Sequence, residues 1–257
     1  MAKGGYKEDK DLEKILVISN DDRILKAKEE ISKIITSEIK IIAKNESQKK
    51  LINSIKNNEI TICAGKAGSG KTFVSLAYAL SLIRKKENKY KKIYLVKSVT
   101  PLNGENVGFL KGTLDDKIFP FLMSFYINIE KVVYEGTLKM LIEKEYIKPL
   151  PLAYMRGVSL DDCIIVTDEV QNITMENAHT LMTRIGSNCK LIMLGDTNQI
   201  DILNRNDSSL KHILNIFKDI EKIGIIEMDE SDINIRNPLI DIIDLKYGEF
   251  FKSKNNK

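Results

Sequence analysis

The sequence has few of the residues that bind zinc or form disulfide bridges. Its 257 residues include three cysteines and two histidines. The cysteines, Cys63, Cys163 and Cys189, lie far apart and form no Cys-x-x-Cys pair. A zinc site or a disulfide framework is therefore not expected, and a reducing, cytoplasmic compartment is the natural one for such a chain.

Long apolar runs are also missing. The longest, IFPFLMSFYINI at 118–129, is too short for a membrane-spanning helix and is interrupted by Pro120, Ser124 and Asn128. The first residues, MAKGGYKEDKDLEK, are too polar for the apolar part of a secretory signal. We therefore expect a soluble protein that stays in the cytoplasm and has no membrane partner.

Charge of one sign does not dominate either. Forty basic and 36 acidic residues give a net charge of +4, and 43% of the residues are apolar. A slight basic excess permits a nucleic-acid partner without requiring one. The length suits one large globular domain with a full core.

From residue 46 onward, apolar runs of about six residues alternate with helical stretches, which is typical of a parallel sheet with helices on both faces. This pattern predicts an α/β fold. Strands are predicted at 59–65, 92–98, 163–169, 190–196 and 223–228.

The remaining segments give the predicted organisation. Residues 1–45 form a small N-terminal accessory segment, predicted as a strand, an amphipathic helix and a second strand. Residues 46–250 form the core. An insertion at about 99–158 holds four of the five prolines and a helical-looking stretch at 114–144. An insertion of this length is usually functional. Residues 251–257 are expected to be a flexible tail.

The strongest motif is GKAGSGKT at 65–72, which fits the phosphate-loop pattern GxxxxGK[ST]. It follows an apolar strand and begins an apolar helix, so its backbone N–H groups can surround a phosphate at a helix N-terminus. Lys71 would reach the β and γ phosphates, and the Thr72 hydroxyl would hold Mg²⁺. The residues predicted to line this site are Gly65, Lys66, Ala67, Gly68, Ser69, Gly70, Lys71 and Thr72.

A second motif, CIIVTDEVQN at 163–172, ends an apolar strand in two adjacent carboxylates. Successive strand side chains point oppositely, so the two acids can have different roles. Asp168 suits the Mg²⁺ shell, and Glu169 suits the general base that deprotonates an attacking water. Such an acid pair alone is a weak signal, but it becomes strong beside a phosphate loop.

A third motif, KLIMLGDTNQID at 190–201, is another buried strand that continues into Gly195, Asp196 and Gln199. In sheets of this type the strand after the acidic one commonly lies between it and the phosphate-loop strand. That position would bring Gln199 beside the γ phosphate, where it can report whether this phosphate is present. A polar turn after a core strand is the alternative. A carboxylate that activates water favours hydrolysis over a small-molecule kinase, which must keep water away.

Several ordered segments together resemble the PhoH-like P-loop ATPases, which are related to the cores of superfamily 1 helicases. The resemblance covers roughly residues 45 to 250. Besides the phosphate loop, its segments are NVGFLKG (106–112), PLAYMRGVSLDD (151–162), DEVQN (168–172), TRIG (183–186), LGDTNQID (194–201) and DINIRNPLI (232–240).

The resemblance implies a three-layer, RecA-like P-loop fold that binds ATP and Mg²⁺. Gln48 resembles the adenine-reading glutamine of those enzymes, although an exposed helical glutamine is about as plausible. Related helicases place ATP between two cores, and this chain has room for one. A homo-oligomer, such as the hexameric ring that the resemblance suggests, would let a neighbour supply an arginine. The candidates are Arg156, Arg184 and Arg236, with Arg236 first; a surface ion pair is the alternative for each.

Two positions depart from the family pattern. Lys66 stands where the family usually has proline, a change that the loop backbone should tolerate. Lys97 begins a segment that the family tends to begin with Arg-Pro. Lysine replaces that arginine only partly, because it lacks the bidentate guanidinium.

RNA or single-stranded DNA is the expected polymer partner, from the superfamily resemblance and the mild basicity. The basic run 84–92 with Lys49 and Lys50 could meet phosphates. Aromatic residues of the insertion could stack on bases, although their spacing fits a buried helix face better. These aromatic residues are Phe109, Phe119, Phe121, Phe125 and Tyr126. Two other function classes stay open, an ATP-binding switch with little turnover and a P-loop phosphotransferase.

Overall fold

The computed structural model describes residues 22–97, 114–202 and 204–228, with 237, 239–240, 242–243, 245–247 and 249; side chains of the inserted segment are described from residue 119. The strands are β1 Ile60–Ala64, β2 Lys92–Lys97, β3 Ile147–Pro149, β4 Cys163–Asp168, β5 Cys189–Gly195 and β6 Ile223–Glu227. The helices are α1 22–34, α2 Glu46–Asn57, α3 Lys71–Arg84, α4 Leu114–Glu130, α5 Glu135–Glu143, α6 Met175–Met182 and α7 Ser209–Ile216.

Within these residues the strands form one six-stranded parallel sheet in the order β3-β2-β4-β5-β1-β6. The five predicted strands are confirmed to within one or two residues at each end. The predicted position of β5 between the acidic strand β4 and the phosphate-loop strand β1 is also confirmed.

The edge strand β3 was not predicted, and it lies inside the expected insertion. It has three residues and ends at Pro149. Proline has no N–H for a strand ladder, so its place at the edge of the sheet follows from its chemistry. A run this short has no readable alternation in sequence.

Both faces of the sheet are covered, as the α/β prediction requires. Every residue of β1, β4 and β5 is buried. Alternate residues of β4 enter different apolar cores: Ile164 and Val166 pack with α1 to α5, whereas Ile165 packs with α6 and α7. The period-two geometry of a strand therefore divides one apolar run between two cores.

The second strand expected in the accessory segment is wrong: residues 35–45 contain no strand. This stretch follows α1 beside α3, where Arg84 Nε donates to the Ile35 carbonyl at 3.0 Å and Ile39 packs on the core. A strand requires a neighbouring strand, and this stretch lies against helices instead. The first expected strand lies outside the described residues, and the division at residue 45 stays a prediction.

The predicted helical stretch of the insertion is two helices, α4 and α5, separated at 131–134. In the described part of the chain, none of the helices combines the length and the apolar character needed to cross a membrane.

Candidate phosphate and acid site

The phosphate loop connects the carboxyl end of β1 to the first turn of α3. Gly68 and Gly70 have φ values of +77° and +82°, a left-handed conformation that strains other residues. Gly65 N–H donates to the Gly195 carbonyl at 3.0 Å, which ties the loop to β5. The glycine spacing of the motif is thus what lets the chain turn sharply into the helix.

Lys71 lies buried inside this loop. Its Nζ donates to the carbonyls of Gly65 at 2.9 Å and Lys66 at 3.3 Å. Among the described residues no carboxylate forms an ion pair with it, and these two hydrogen bonds both go to the backbone. An ammonium and a helix N-terminus at one place form a strongly anion-attracting site.

The phosphate loop and the acidic strand meet at one hydrogen bond. Thr72 Oγ1 donates to Asp168 Oδ2 at 2.9 Å, and Asp168 is 7% exposed. A hydroxyl and a carboxylate oxygen side by side suit Mg²⁺, which binds oxygen and keeps several waters. In the described ranges no cluster of three or more His, Cys, Asp or Glu could hold a metal by itself. A site of one or two protein oxygens, completed by water and phosphate, fits this chemistry.

Glu169 follows Asp168 in a strained conformation, with φ +58° and ψ +40°. Its Oε2 accepts a hydrogen bond from Gln171 Nε2 at 2.6 Å, and Lys97 Nζ lies 4.0 Å from its Oε1. Its side chain is 36% exposed, so water reaches it. Strained residues held by their surroundings are concentrated at functional sites.

Gln171 and Asp196 connect Glu169 to the phosphate loop. The sequence alone predicted no role for either residue. Gln171 is fully buried, and its Oε1 accepts from Asp196 N–H at 3.0 Å. Asp196 Oδ2 in turn accepts from Ala67 N–H at 3.1 Å. We call this chain of contacts, from Glu169 through Gln171 and Asp196 to Ala67, the amide relay. Its only sequence signals are the glutamine of DEVQ and the aspartate of GDTNQ.

The two predicted glutamines, Gln199 and Gln48, differ in exposure and in their hydrogen bonds. Gln199 is exposed after β5, and its N–H donates to the Asp196 carbonyl at 3.3 Å. Gln48 is 3% exposed, and both ends of its carboxamide are engaged. Its Nε2 donates to the Ser69 carbonyl at 3.0 Å, and its Oε1 accepts from Lys44 N–H at 2.9 Å. Gln48 therefore supports the phosphate loop from within the protein.

The cysteine beside the loop offers no reactive thiolate. Cys63 in β1 is fully buried, and burial raises the pKa of its thiol to about 12. Charged Lys71 opposes this shift but does not overcome it. A thiol that stays protonated at neutral pH is a core residue rather than a nucleophile.

Two of the three candidate arginines do not lie at the phosphate loop. Arg156 and Arg184 line one cavity of about 620 Å³ along α6. The bridge between Leu160 and Ile185 places both loops just before β4 and β5, at the amino edge of the sheet. The phosphate loop follows β1 at the opposite, carboxyl edge. Arg236 lies outside the described residues.

The aromatic residues predicted to contact nucleic acid differ in how exposed they are. Phe125 and Tyr126 are buried in the core, whereas Phe119 is 49% exposed. Phe121 is half-buried, and Phe109 lies outside the described residues. The core interpretation therefore holds for the two buried rings.

The predicted basic residues are also partly engaged. The run 84–92 joins α3 to β2 at the amino edge of the sheet. Within it Lys91 pairs with Asp162 at 2.9 Å. Lys49 pairs with Glu46 at 3.1 Å on the surface of α2, and Lys50 is exposed.

Comparisons with known proteins point to one family. Residues 40–248 match the family model described as PhoH-like protein. A PhoH-like protein of Bacillus subtilis (strain 168) is 34% identical over 200 residues, which cover 78% of this chain and 61% of that protein. Protein PhoH of Escherichia coli (strain K12) is 28% identical over 194 residues, 75% of this chain and 54% of that protein. The chain thus spans somewhat over half the length of these relatives.

Among solved structures, the large terminase of a thermophilic bacteriophage in complex with ADP aligns with 75% of this chain and 47% of its own. The identity is 12% and the TM-score is 0.43.

Proposed function

The chain belongs to the PhoH-like protein family, and from that premise we propose that it is a Mg²⁺-dependent ATPase that acts on RNA or single-stranded DNA. The observation that carries the proposal is the 2.9 Å hydrogen bond between Thr72 and Asp168. It joins a loop suited to phosphate and an acid suited to Mg²⁺, with the water-accessible Glu169 beside them.

The proposed binding step uses charge and backbone geometry. Loop N–H groups and the N-terminus of α3 hold the triphosphate, and Lys71 leaves its backbone carbonyls for the β and γ phosphate oxygens. Thr72 and Asp168 would hold magnesium, which when bound neutralises charge on the phosphate oxygens.

The proposed chemical step is water attack on the γ phosphorus. Glu169 takes a proton from the water as the new P–O bond forms and the bond to the β-phosphate oxygen breaks, leaving ADP and phosphate. Gln171 and Lys97 hold the Glu169 carboxylate in position. Asp196 connects Gln171 to the phosphate loop. The amide relay therefore couples the position of the loop to the position of the Glu169 carboxylate. Gln199, at the end of β5, is the proposed sensor of the γ phosphate.

The first test compares phosphate release by the wild type and by Glu169→Gln. We expect the variant to bind ATP normally and to lose at least about 100-fold in turnover, because general-base catalysis contributes roughly 10²–10⁴-fold. Equal, negligible release by both proteins would favour the switch. A labelled phosphorylated product other than phosphate would favour the phosphotransferase.

We further propose that a neighbouring copy supplies an arginine. Arg156 and Arg184 support this, because they lie at the sheet edge opposite the phosphate loop of their own chain. Mixing Lys71→Ala with an arginine variant provides the test. The Lys71→Ala subunit then cannot bind the phosphates, and the other subunit lacks the arginine. Recovered turnover in the mixture identifies the arginine that acts in trans, with Arg156, Arg184 and Arg236 each tested.

Nucleic-acid coupling is supported by the mild basicity and by the exposed lysines of the run 84–92. The test is ATP turnover with and without polynucleotide over a range of salt concentrations. We expect stimulation that weakens as salt rises, because phosphate contacts release counterions. Salt-independent turnover with no polymer binding would contradict this part of the proposal.

A further inference from the structure

We propose that Asn128 and Ile42 form the nucleobase site of the bound nucleotide, with Asn128 as the residue that selects adenine. This inference rests on the proposed function, because it assigns the base end of the ATP whose phosphates the loop would hold. It gives a binding role to α4, which belongs to the inserted segment.

The site is part of a cavity of about 270 Å³ that the phosphate loop itself lines at one end, through Gly68, Gly70, Lys71 and Thr72. Three parts of the chain surround it: the loop with the start of α3, the segment that precedes and enters α2, and the last turns of α4. The lining residues that carry the argument are Ile42, Gln48, Gly70, Phe73, Asn128 and Lys131. A nucleotide with its phosphates in the loop would therefore extend its ribose and base into this space.

Gln48 cannot easily read the base from its present position. Its carboxamide already donates to the Ser69 carbonyl and accepts from Lys44 N–H, and the residue is 3% exposed. One N–H and one oxygen lone pair of the carboxamide are thus already used, and little of the side chain is open to a ligand. A more exposed polar group on the same cavity is therefore better placed to face the base.

Asn128 supplies that group. Its Nδ2 donates to the Ser124 carbonyl at 2.7 Å, one turn back in α4. Because a carbonyl needs a donor, this bond fixes which end of the carboxamide is nitrogen. The Oδ1 atom then accepts no hydrogen bond from any residue that the structure describes. The amide nitrogen keeps a second N–H beside this oxygen. Together they match adenine, which presents its 6-amino donor next to a ring-nitrogen acceptor, whereas the 6-keto group of hypoxanthine and guanine places an acceptor against Oδ1.

Ile42 supplies an apolar surface for the base. It is 80% exposed although it is a large aliphatic residue, and it lines the cavity together with the ring of Phe73. Base sites are usually apolar walls with a few oriented polar groups. Lys131 lies on the same cavity and has no ion-pair partner in the described part of the chain. It therefore adds positive charge to the wall of the cavity.

The experiment measures equilibrium binding of Mg-ATP, Mg-ITP and Mg-tripolyphosphate to the full chain. We expect the wild type to prefer ATP over ITP by about tenfold, since the keto group leaves Asn128 facing an acceptor. Asn128→Ala should weaken ATP binding by about 3- to 10-fold and leave ITP and tripolyphosphate unchanged. Ile42→Ala should weaken ATP and ITP alike, by about fivefold, and leave tripolyphosphate unchanged.

The controls are Asn215→Ala and Ile216→Ala, which make the same truncations on exposed positions of α7. Both should bind all three ligands as the wild type does. Unchanged tripolyphosphate affinity also shows that each cavity variant is folded.

Two results would overturn the inference, and they differ from each other. If tripolyphosphate and ATP bind but Asn128→Ala keeps the wild-type preference for ATP over ITP, the base site is wrong and the phosphate site stands. If the folded wild type binds neither ligand, the proposed function fails and the base site fails with it.

Discussion

Gln171→Ala breaks the amide relay at its centre while leaving the phosphate loop in place. The carboxamide bonds Glu169 Oε2 at 2.6 Å and Asp196 N–H at 3.0 Å. A hydrogen bond to a charged group contributes roughly 1.5–3 kcal/mol, which corresponds to about 10- to 150-fold in rate if Glu169 loses its position. Lys71 and Thr72 do not touch Gln171, so the Kd for nucleotide should change by less than about threefold.

The same change also costs stability. The buried Asp196 N–H loses its partner and a small cavity remains, so we expect a loss of about 2–4 kcal/mol in the free energy of unfolding. That leaves a folded protein if the wild type has ordinary stability. Steady-state phosphate release, equilibrium nucleotide binding and thermal unfolding are therefore measured on the same preparation.

Ser209→Ala is the matched control. Ser209 is fully buried, and its Oγ donates to the Val170 carbonyl at 3.0 Å, in the same turn that carries Gln171. It does not contact Glu169, so it should reduce stability with turnover near the wild-type value. Wild-type turnover of Gln171→Ala, or an equal loss of turnover in both variants, would show that Gln171 does not position Glu169.

Three further changes give expected outcomes. Thr72→Ala should raise the magnesium concentration for half-maximal turnover by at least about tenfold, whereas Thr72→Ser should restore it; equal magnesium dependence would argue against the metal role. Gly195→Ala places a Cβ 2.6 Å from Gln171 Oε1 and 2.7 Å from Leu210 Cδ2, so turnover should fall and stability should drop by about 1–3 kcal/mol in a thermal melt. Lys28 is fully buried, and burial lowers its pKa from 10.5 to about 8. Between about pH 8 and pH 10.5, Lys28 is protonated in the unfolded chain but not in the folded one. Its contribution to the free energy of unfolding should therefore rise by at most about 3 kcal/mol as the pH increases over this range. The difference between urea unfolding of the wild type and of Lys28→Met isolates this contribution, and parallel pH profiles would contradict it.

The central strands and the phosphate loop could be predicted because their signals are local. A strand buried on both faces is a continuous apolar run, and the loop is eight consecutive residues whose glycines are needed for its turns. The edge strand β3 could not be predicted, since three residues ending in Pro149 have no periodicity. The strand expected in 35–45 was wrong for a different reason. The apolar residues that suggested it are present, but they pack on helices.

The amide relay could not be predicted from the sequence, because its partners are distant in the chain. Ala67 and Asp196 are 129 positions apart, and their bond depends on β5 lying beside β1. Gln48 shows the converse limit. Its resemblance to the adenine-reading glutamine of related enzymes implied a ligand contact, whereas the structure gives its carboxamide two backbone partners. Which polar atoms of a side chain face a ligand site depends on hydrogen bonds that the sequence does not show.

The most direct test of the central claim is a single-turnover experiment with the protein in excess over labelled ATP and with Mg²⁺ present. We expect that bound ATP becomes ADP and phosphate in the wild type. We also expect that Glu169→Gln holds intact ATP and that Lys71→Ala binds none. ATP that stays intact on the wild type, or hydrolysis at an equal rate by Glu169→Gln, would contradict it.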